Sequence, residues 1–249
     1  MKLLRLLALS VPLLLAAGPL GAADMTPAPS AVDIDVVQKI VRDYLREHPE
    51  VIIDAIKQYQ AKQDQAEAAK AQQNITALKD DIFKDPTSPV AGNPDGDVTL
   101  VEFFDYRCPY CKVVAPDLEK VMAADSKLRV VYKEFPILGP ASTTATKAAL
   151  AAVAQGKYLP LHDKLIAFKG QLDDATIFAM AHDVGLDVAK LKVDMEKPEI
   201  RNIIDKNAQL ADKLKIQGTP GFVIGDQLIP GVASVDDLTA AIKKARAGS

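Results

Sequence analysis

Beyond residue 23 the 249-residue sequence has no apolar run approaching the ~18 consecutive residues of a membrane-spanning helix, which excludes a later helical span. It also has no dense block of Lys and Arg and no basic stretch interleaved with aromatics. With 30 Lys plus Arg against 33 Asp plus Glu, the footprint of a nucleic-acid-binding protein is missing. Histidine occurs three times, at His48, His162 and His182, scattered through helical segments, and cysteine occurs twice. A zinc site would need further ligands than these, so no metal site is expected, and no Met-rich or His-rich tract supports metal handling. The two cysteines are Cys108 and Cys111, enclosing only Pro109 and Tyr110. A structural bridge gains most by closing a long loop, and a chain of this length buries a core without staples. The spacing is poor for stapling and good for chemistry.

Residues 1–23 read as a secretory signal: Lys2 and Arg5 at a basic start, an apolar run from Leu6 to Ala17, and Gly21-Ala22-Ala23 suited to cleavage. The expectation is a soluble exported protein beginning near Asp24, with a net charge of about −5 once Lys2 and Arg5 are gone. Residues 24–32, with Pro27 and Pro29, are expected to be a disordered lead. Residues 33–85 form an N-terminal helical region. Val37, Ile40, Val41, Tyr44 and Leu45 share one helical face, Pro49 interrupts, and Ile52, Ile53, Ile56 and Tyr59 open a second helix that runs to about Phe83. Along it Ala61, Ala68, Ile75 and Ile82 recur every seven residues, with Ala71 and Leu78 interleaved. This predicts a stalk joining copies of the chain as a dimer or trimer; the alternative is one solvated helix leaning on its own domain.

The turn formers between Asp85 and Gly96 mark the boundary of the main domain, residues 86–249, which reads as α/β. Val98 to Phe104 is a strand, Pro109 to about Ala124 a helix, and Leu128 to Glu134 a second strand. From about 141 to 214 the periodicity is helical, broken into four or five helices. Phe222 to Ile224 and Gln227 to Ile229 then flank Gly225-Asp226 as a hairpin, and Ser234 with Asp237 opens a last helix.

The order strand, cysteines, helix places Cys108 at a helix N-terminus, where unpaired amides and the helix dipole favour a thiolate. Cys111, one turn further in, is expected to be buried and to act as the resolving thiol. Glu102 is anomalous: a carboxylate on the strand face of Val98, Leu100 and Phe104, six residues before Cys108. If buried near the pair, it would have a raised pKa and could take the proton of Cys111. An exposed strand edge is the alternative.

The run Val101-Glu102-Phe103-Phe104-Asp105-Tyr106-Arg107-Cys108-Pro109-Tyr110-Cys111-Lys112, with Pro116 and the later Gly218-Thr219-Pro220-Gly221-Phe222, resembles the DsbA-like branch of the thioredoxin superfamily over about Pro94 to Ala245. The N-terminal segment with His48-Pro49-Glu50-Val51-Ile52-Ile53 resembles the suppressor-of-copper-sensitivity C proteins and related oligomeric disulfide isomerases. The resemblance implies a thioredoxin fold with an inserted helical domain and an N-terminal helical oligomerisation stalk. It implies that Thr219-Pro220 is a cis peptide facing the cysteines and offering backbone to a substrate chain, and that Glu102 lies beneath the cysteines and moves protons. Pro109 and Tyr110 would tune the pair; DsbA-type oxidants commonly carry His where this chain has Tyr110, which points away from the strongest oxidants. The implied activity is a periplasmic thiol-disulfide oxidoreductase, working largely as an isomerase through Cys-Pro-Tyr-Cys, with no cofactor beyond the redox-active disulfide. Its partners would be misfolded exported proteins containing disulfides and a membrane redox partner that resets the cysteines. The alternatives are a dithiol oxidase and, in another class, a metal-tolerance protein whose reduced pair binds Cu(I).

Overall fold

The structure is a computed structural model that describes residues 33–248. The expected secretory signal and the expected lead up to residue 32 lie outside the described residues. The chain divides after Ile56 into two compact units.

In the first unit, α1 (Ile34–Glu47) starts on Asp33, whose side chain accepts from the Asp35 amide at 3.0 Å, and ends at His48. Pro49 follows, and α2 (Glu50–Ala77) begins immediately after it. The His48 ring lies against Tyr44, 4.5 Å between centroids, and its Nδ1 is 3.1 Å from Glu50 Oε1. α1 is amphipathic as its spacing predicts, yet it buries nothing: Val37, Ile40, Val41 and Tyr44 are exposed, as are Ile52, Ile53 and Ile56 of α2.

The second unit is built on a five-stranded sheet in the order β1-β3-β2-β4-β5. The strands are β1 (Val90–Gly92), β2 (Val98–Phe104), β3 (Leu128–Glu134), β4 (Gly221–Ile224) and β5 (Gln227–Pro230). β2 and β3 run parallel, with Val98 opposite Leu128 and Phe104 opposite Glu134, joined through α4 (Pro109–Ala124). β4 pairs antiparallel with β2, setting Phe222 opposite Glu102 and Gly221 opposite Phe103. β1 pairs antiparallel with the outer edge of β3. Between β3 and β4 come α5 (Pro140–Ala152), α6 (Tyr158–Ala167), α7 (Asp174–Asp183), α8 (Val188–Asp194) and α9 (Pro198–Leu214), which form the expected helical insertion. α10 (Val235–Ala247) closes the chain on a capping box between Ser234 and Asp237.

A central strand in a parallel pair must be covered on both faces. One face of β2, through Leu100 and Phe104, packs with Leu118 of α4, Leu238 of α10 and the helical insertion. The other, through Val101 and Phe103, is covered by Leu210 and Leu214 of α9 and by Ile75 and Ile82, with Leu78 packed against them. This corrects the heptad reading at Ile75, Leu78 and Ile82, while Ala61 and Ala68 stay exposed. Ile75 and Ile82 are buried within the domain itself, α2 stops at Ala77, and a separate short helix α3 (Lys79–Phe83) carries Ile82. The spacing that suits a coiled-coil seam equally suits a helix lying on a sheet. Polar contacts extend the same docking: Gln72 donates to Asp226 at 2.6 Å and Asn74 to the Lys213 carbonyl at 3.0 Å. Lys133 of β3, wholly buried, pairs with Asp85 at 2.9 Å and donates to the Asp81 carbonyl at 3.0 Å. The second unit begins at Lys57, and within it side-chain contacts to the sheet domain reach back to Gln72.

Candidate active site

β2 delivers the cysteines through a turn organised by Asp105. This buried carboxylate accepts from the Arg107 amide (2.7 Å), the Ser142 hydroxyl (2.7 Å) and the amides of Ile137 and Leu138 (2.9 and 3.0 Å). It thereby fastens the turn after β2 to the loop after β3, and the Arg107 guanidinium adds a bond to the Leu138 carbonyl. The Cys108 amide donates to the Asp105 carbonyl at 3.0 Å, which leaves Cys108 as the N-cap of α4 with Pro109 in the first helical position. Proline suits that place because its missing N–H would have no helical partner there.

The Cys108 thiol points at the opposite loop, with Sγ 3.1 Å from the carbonyl oxygen of Thr219. The Thr219–Pro220 peptide is cis. Gly231, after β5, donates to the Pro220 carbonyl at 2.8 Å, so the segment holding Val232 is tied to the same loop. Cys108 is itself only 3 % exposed, but the segments that carry the site present apolar side chains to solvent: Tyr110 and Val113 at 61 % each, with Ile137, Leu138 and Val232 also exposed. Exposed apolar side chains on the segments that carry a reactive thiol suit contact with a polypeptide.

Cys111 is fully buried behind Cys108, and both are free thiols. Burial pushes the Cys111 thiol up, and the charge of Glu102 pushes it further. Glu102 is 4 % exposed and its carboxyl makes no hydrogen bond among the described residues; burial first, and the charge of Glu134 second, push it up to about 8. Its carboxyl is not sealed off. It lines a cavity of about 410 Å³ together with Phe104, Leu118, Tyr132, His162 and Asp163, so water can reach it from the gap between α4 and α6. The edge-strand alternative for Glu102 is thereby removed.

Beside this lies a polar cluster that sequence reasoning missed. Glu134, at the end of β3, is wholly buried and accepts from the hydroxyls of Tyr106 (2.8 Å), Tyr158 (2.9 Å) and Thr146 (2.7 Å). Burial pushes it up to about 8 against those three bonds. The Tyr106 oxygen is also 3.1 Å from His162 Nδ1. His162 is pushed down to about 3 by burial, so it is a neutral packing residue. His182 is exposed and His48 half-buried, and among the described residues no group of three or more His, Cys, Asp or Glu is arranged to hold a metal ion. Asp105 had a sequence signal, an Asp two residues before an amide it could cap as an Asx turn. Glu134 had none, since an acid at a strand end reads as a terminus.

Lys112 completes the site's charged groups. It follows Cys111, is half-buried, and donates to the carbonyls of Leu165 (3.2 Å), Ile166 (3.4 Å) and Phe168 at the end of α6.

The family model described as DSBA-like thioredoxin domain matches residues 99–243, and that described as Copper resistance protein ScsC N-terminal domain matches residues 35–66. A thioredoxin-like oxidoreductase from Silicibacter pomeroyi is 45 % identical, covering 68 % of this chain and 98 % of that one at a TM-score of 0.67. A linker-deletion mutant of Proteus mirabilis ScsC is 30 % identical over 90 % of this chain and all of its own, with a TM-score of 0.68. Disulfide bond formation protein D of Bacillus subtilis is 28 % identical, over 63 % of this chain and 76 % of that protein. Other curated relatives are much longer: the chain spans about a quarter of the Na(+)/H(+) antiporter NhaA 1 of Salinispora arenicola, at 29 % identity.

Proposed function

The chain belongs to the DSBA-like thioredoxin domain family, thiol-disulfide oxidoreductases of the DsbA/ScsC type, and on that premise we propose that it works in the periplasm largely as a protein disulfide isomerase. The observation that carries this reading is the pairing of an N-cap thiol, Cys108, aimed at the Thr219 carbonyl, with a buried second thiol, Cys111, behind it. As a thiolate, Cys108 attacks one sulfur of a wrong substrate disulfide; the S–S bond breaks, a mixed disulfide forms, and the other substrate sulfur leaves as thiolate and takes up a proton. A second substrate thiolate then attacks the substrate sulfur of the mixed disulfide and expels Cys108, with no net change in oxidation. When none arrives, Cys111 gives its proton to Glu102 in its ionised form, a stronger base than an ordinary carboxylate because burial raises it, and attacks Cys108 Sγ. That step closes the Cys108–Cys111 disulfide, releases the substrate reduced by two electrons, and leaves the pair for a membrane partner to reduce.

The exposed apolar face of α1 supports isomerase over oxidase. A dimer or trimer joined there would present several cysteine pairs to one misfolded chain. No cofactor beyond the cysteine pair is needed. Refolding of scrambled ribonuclease against reduced ribonuclease is the test: recovery of activity from the scrambled form is expected, and activity confined to the reduced form would make the protein an oxidase. The matched copper-resistance domain covers residues 35–66, which contain no cysteine, so Cu(I) binding would fall to Cys108 and Cys111. A Cu(I) titration showing no binding tighter than glutathione's dismisses that alternative.

A further inference from the structure

Lys112 occupies an expensive position. It is the fourth residue of α4, near the positive end of the helix dipole, where a cation is disfavoured. It is also half withdrawn from water, and burial weakens its hold on its proton. A neutral residue would sit there at less cost. What holds the ammonium is the end of another helix. Leu165, Ile166 and Phe168 bear carbonyls at the C-terminus of α6, which ends at Ala167, and the last carbonyls of a helix have no amide within it to bind. Lys112 supplies its donors to these three. The ammonium forms no ion pair among the described residues, so its charge is not cancelled by a contacting carboxylate. Lys112 directly follows Cys111 at the start of the helix that Cys108 caps, and the charges that act on it are those of Asp105 first, then Cys111 and Cys108.

We infer that Lys112 is a positioning residue through which α6 sets the redox poise of the cysteine pair: the end of α6 holds an unneutralised cation beside the thiols, and that charge favours the reduced form over the disulfide. The inference rests on the reading of Cys108 and Cys111 as a redox couple. It assigns the helical insertion a part in the chemistry. Whatever loosens α6 from α4 moves the charge, and with it the balance between two thiols and one disulfide.

The test is redox equilibrium of the exported protein with glutathione. Two glutathione thiols reduce the Cys108–Cys111 disulfide to two thiols and are themselves joined as glutathione disulfide, so one constant describes the exchange. Lys112→Met is expected to lower the constant for protein reduction about tenfold, equivalent to a couple ~30 mV more reducing. Lys112→Arg, which keeps charge and donors, is expected to stay within about threefold of wild type. Should Lys112→Met not fold, Lys112→Gln keeps a donor for the α6 carbonyls without the charge and carries the same expectation. Thermal unfolding in both redox states supplies the structural control. A Lys112→Met protein that loses stability equally in both states, with an unchanged glutathione constant, overturns the inference and reduces Lys112 to a fastener. A wild-type protein with no glutathione-reducible disulfide would overturn the redox reading itself, which is a different result.

Discussion

Replacing Glu102 by Gln should change how stability depends on pH by a predictable amount. The carboxyl stands at about 8 in the folded chain against its ordinary 4.5, so between those values it is protonated when folded and ionised when unfolded. Its contribution is therefore complete below pH 4.5 and is lost as pH rises through 8, at about 1.4 kcal/mol per pH unit over the interval. By pH 7 wild type has given up about 3 kcal/mol at this one position. Glutamine is neutral throughout and gives up nothing. The Glu102 carboxyl has no hydrogen-bond partner among the described residues, so an amide there adds an offset on the order of 1–3 kcal/mol, but one that does not vary with pH. Glu134 and His162 titrate in both proteins and cancel in the difference. Urea unfolding of reduced wild type and Glu102→Gln at pH 5, 6 and 7 should show the variant gaining about 1.4 kcal/mol per unit relative to wild type. A difference that stays flat across that range refutes the raised Glu102 carboxyl, and with it a carboxylate basic enough to take the proton of Cys111. If the picture holds, the same variant should close the Cys108–Cys111 disulfide about 100-fold more slowly.

Cys111→Ser should accumulate the mixed disulfide between Cys108 and a substrate peptide, visible by mass spectrometry, whereas Cys108→Ser should form no adduct at all; equal adduct from both would reverse their roles. Asp85→Asn strands Lys133 as a buried unpaired cation and should cost about 3–5 kcal/mol in urea unfolding. A loss below about 1 kcal/mol, typical of an exposed pair, would show that water reaches Lys133. Ile82→Ala should cost about 2–5 kcal/mol, and a cost near zero would return Ile82 to the stalk. For the oligomer, light scattering should show the exported protein as a dimer or trimer and a version starting at residue 71 as a folded monomer. A monomer in both cases removes the isomerase argument drawn from α1.

What the sequence made legible was what is local. β2, α4, β3 and the β4–β5 hairpin carry their own periodicity and their own turn formers, and the cysteines sit where strand gives way to helix. β1 was not legible because three residues at a sheet edge have no pattern of their own; they are a strand only because Val131 and Val130 lie opposite. The cluster around Glu134 failed for a related reason. Tyr106, Thr146 and Tyr158 come from a turn and two different helices, and nothing in any one segment announces that their hydroxyls converge on one carboxylate. Ile75, Leu78 and Ile82 are the instructive case, because the pattern was present and its partner was misassigned. A helix shows that it has an apolar face but not what lies against it. Here β2 supplied the missing half of the inference: apolar on both faces from Leu100 to Phe104 apart from Glu102, it needed a cover on the side away from α4, and α9 alone does not provide it. The apolar face of α1, with Val37, Ile40, Val41 and Tyr44 exposed, is the face that a second copy of the chain would cover.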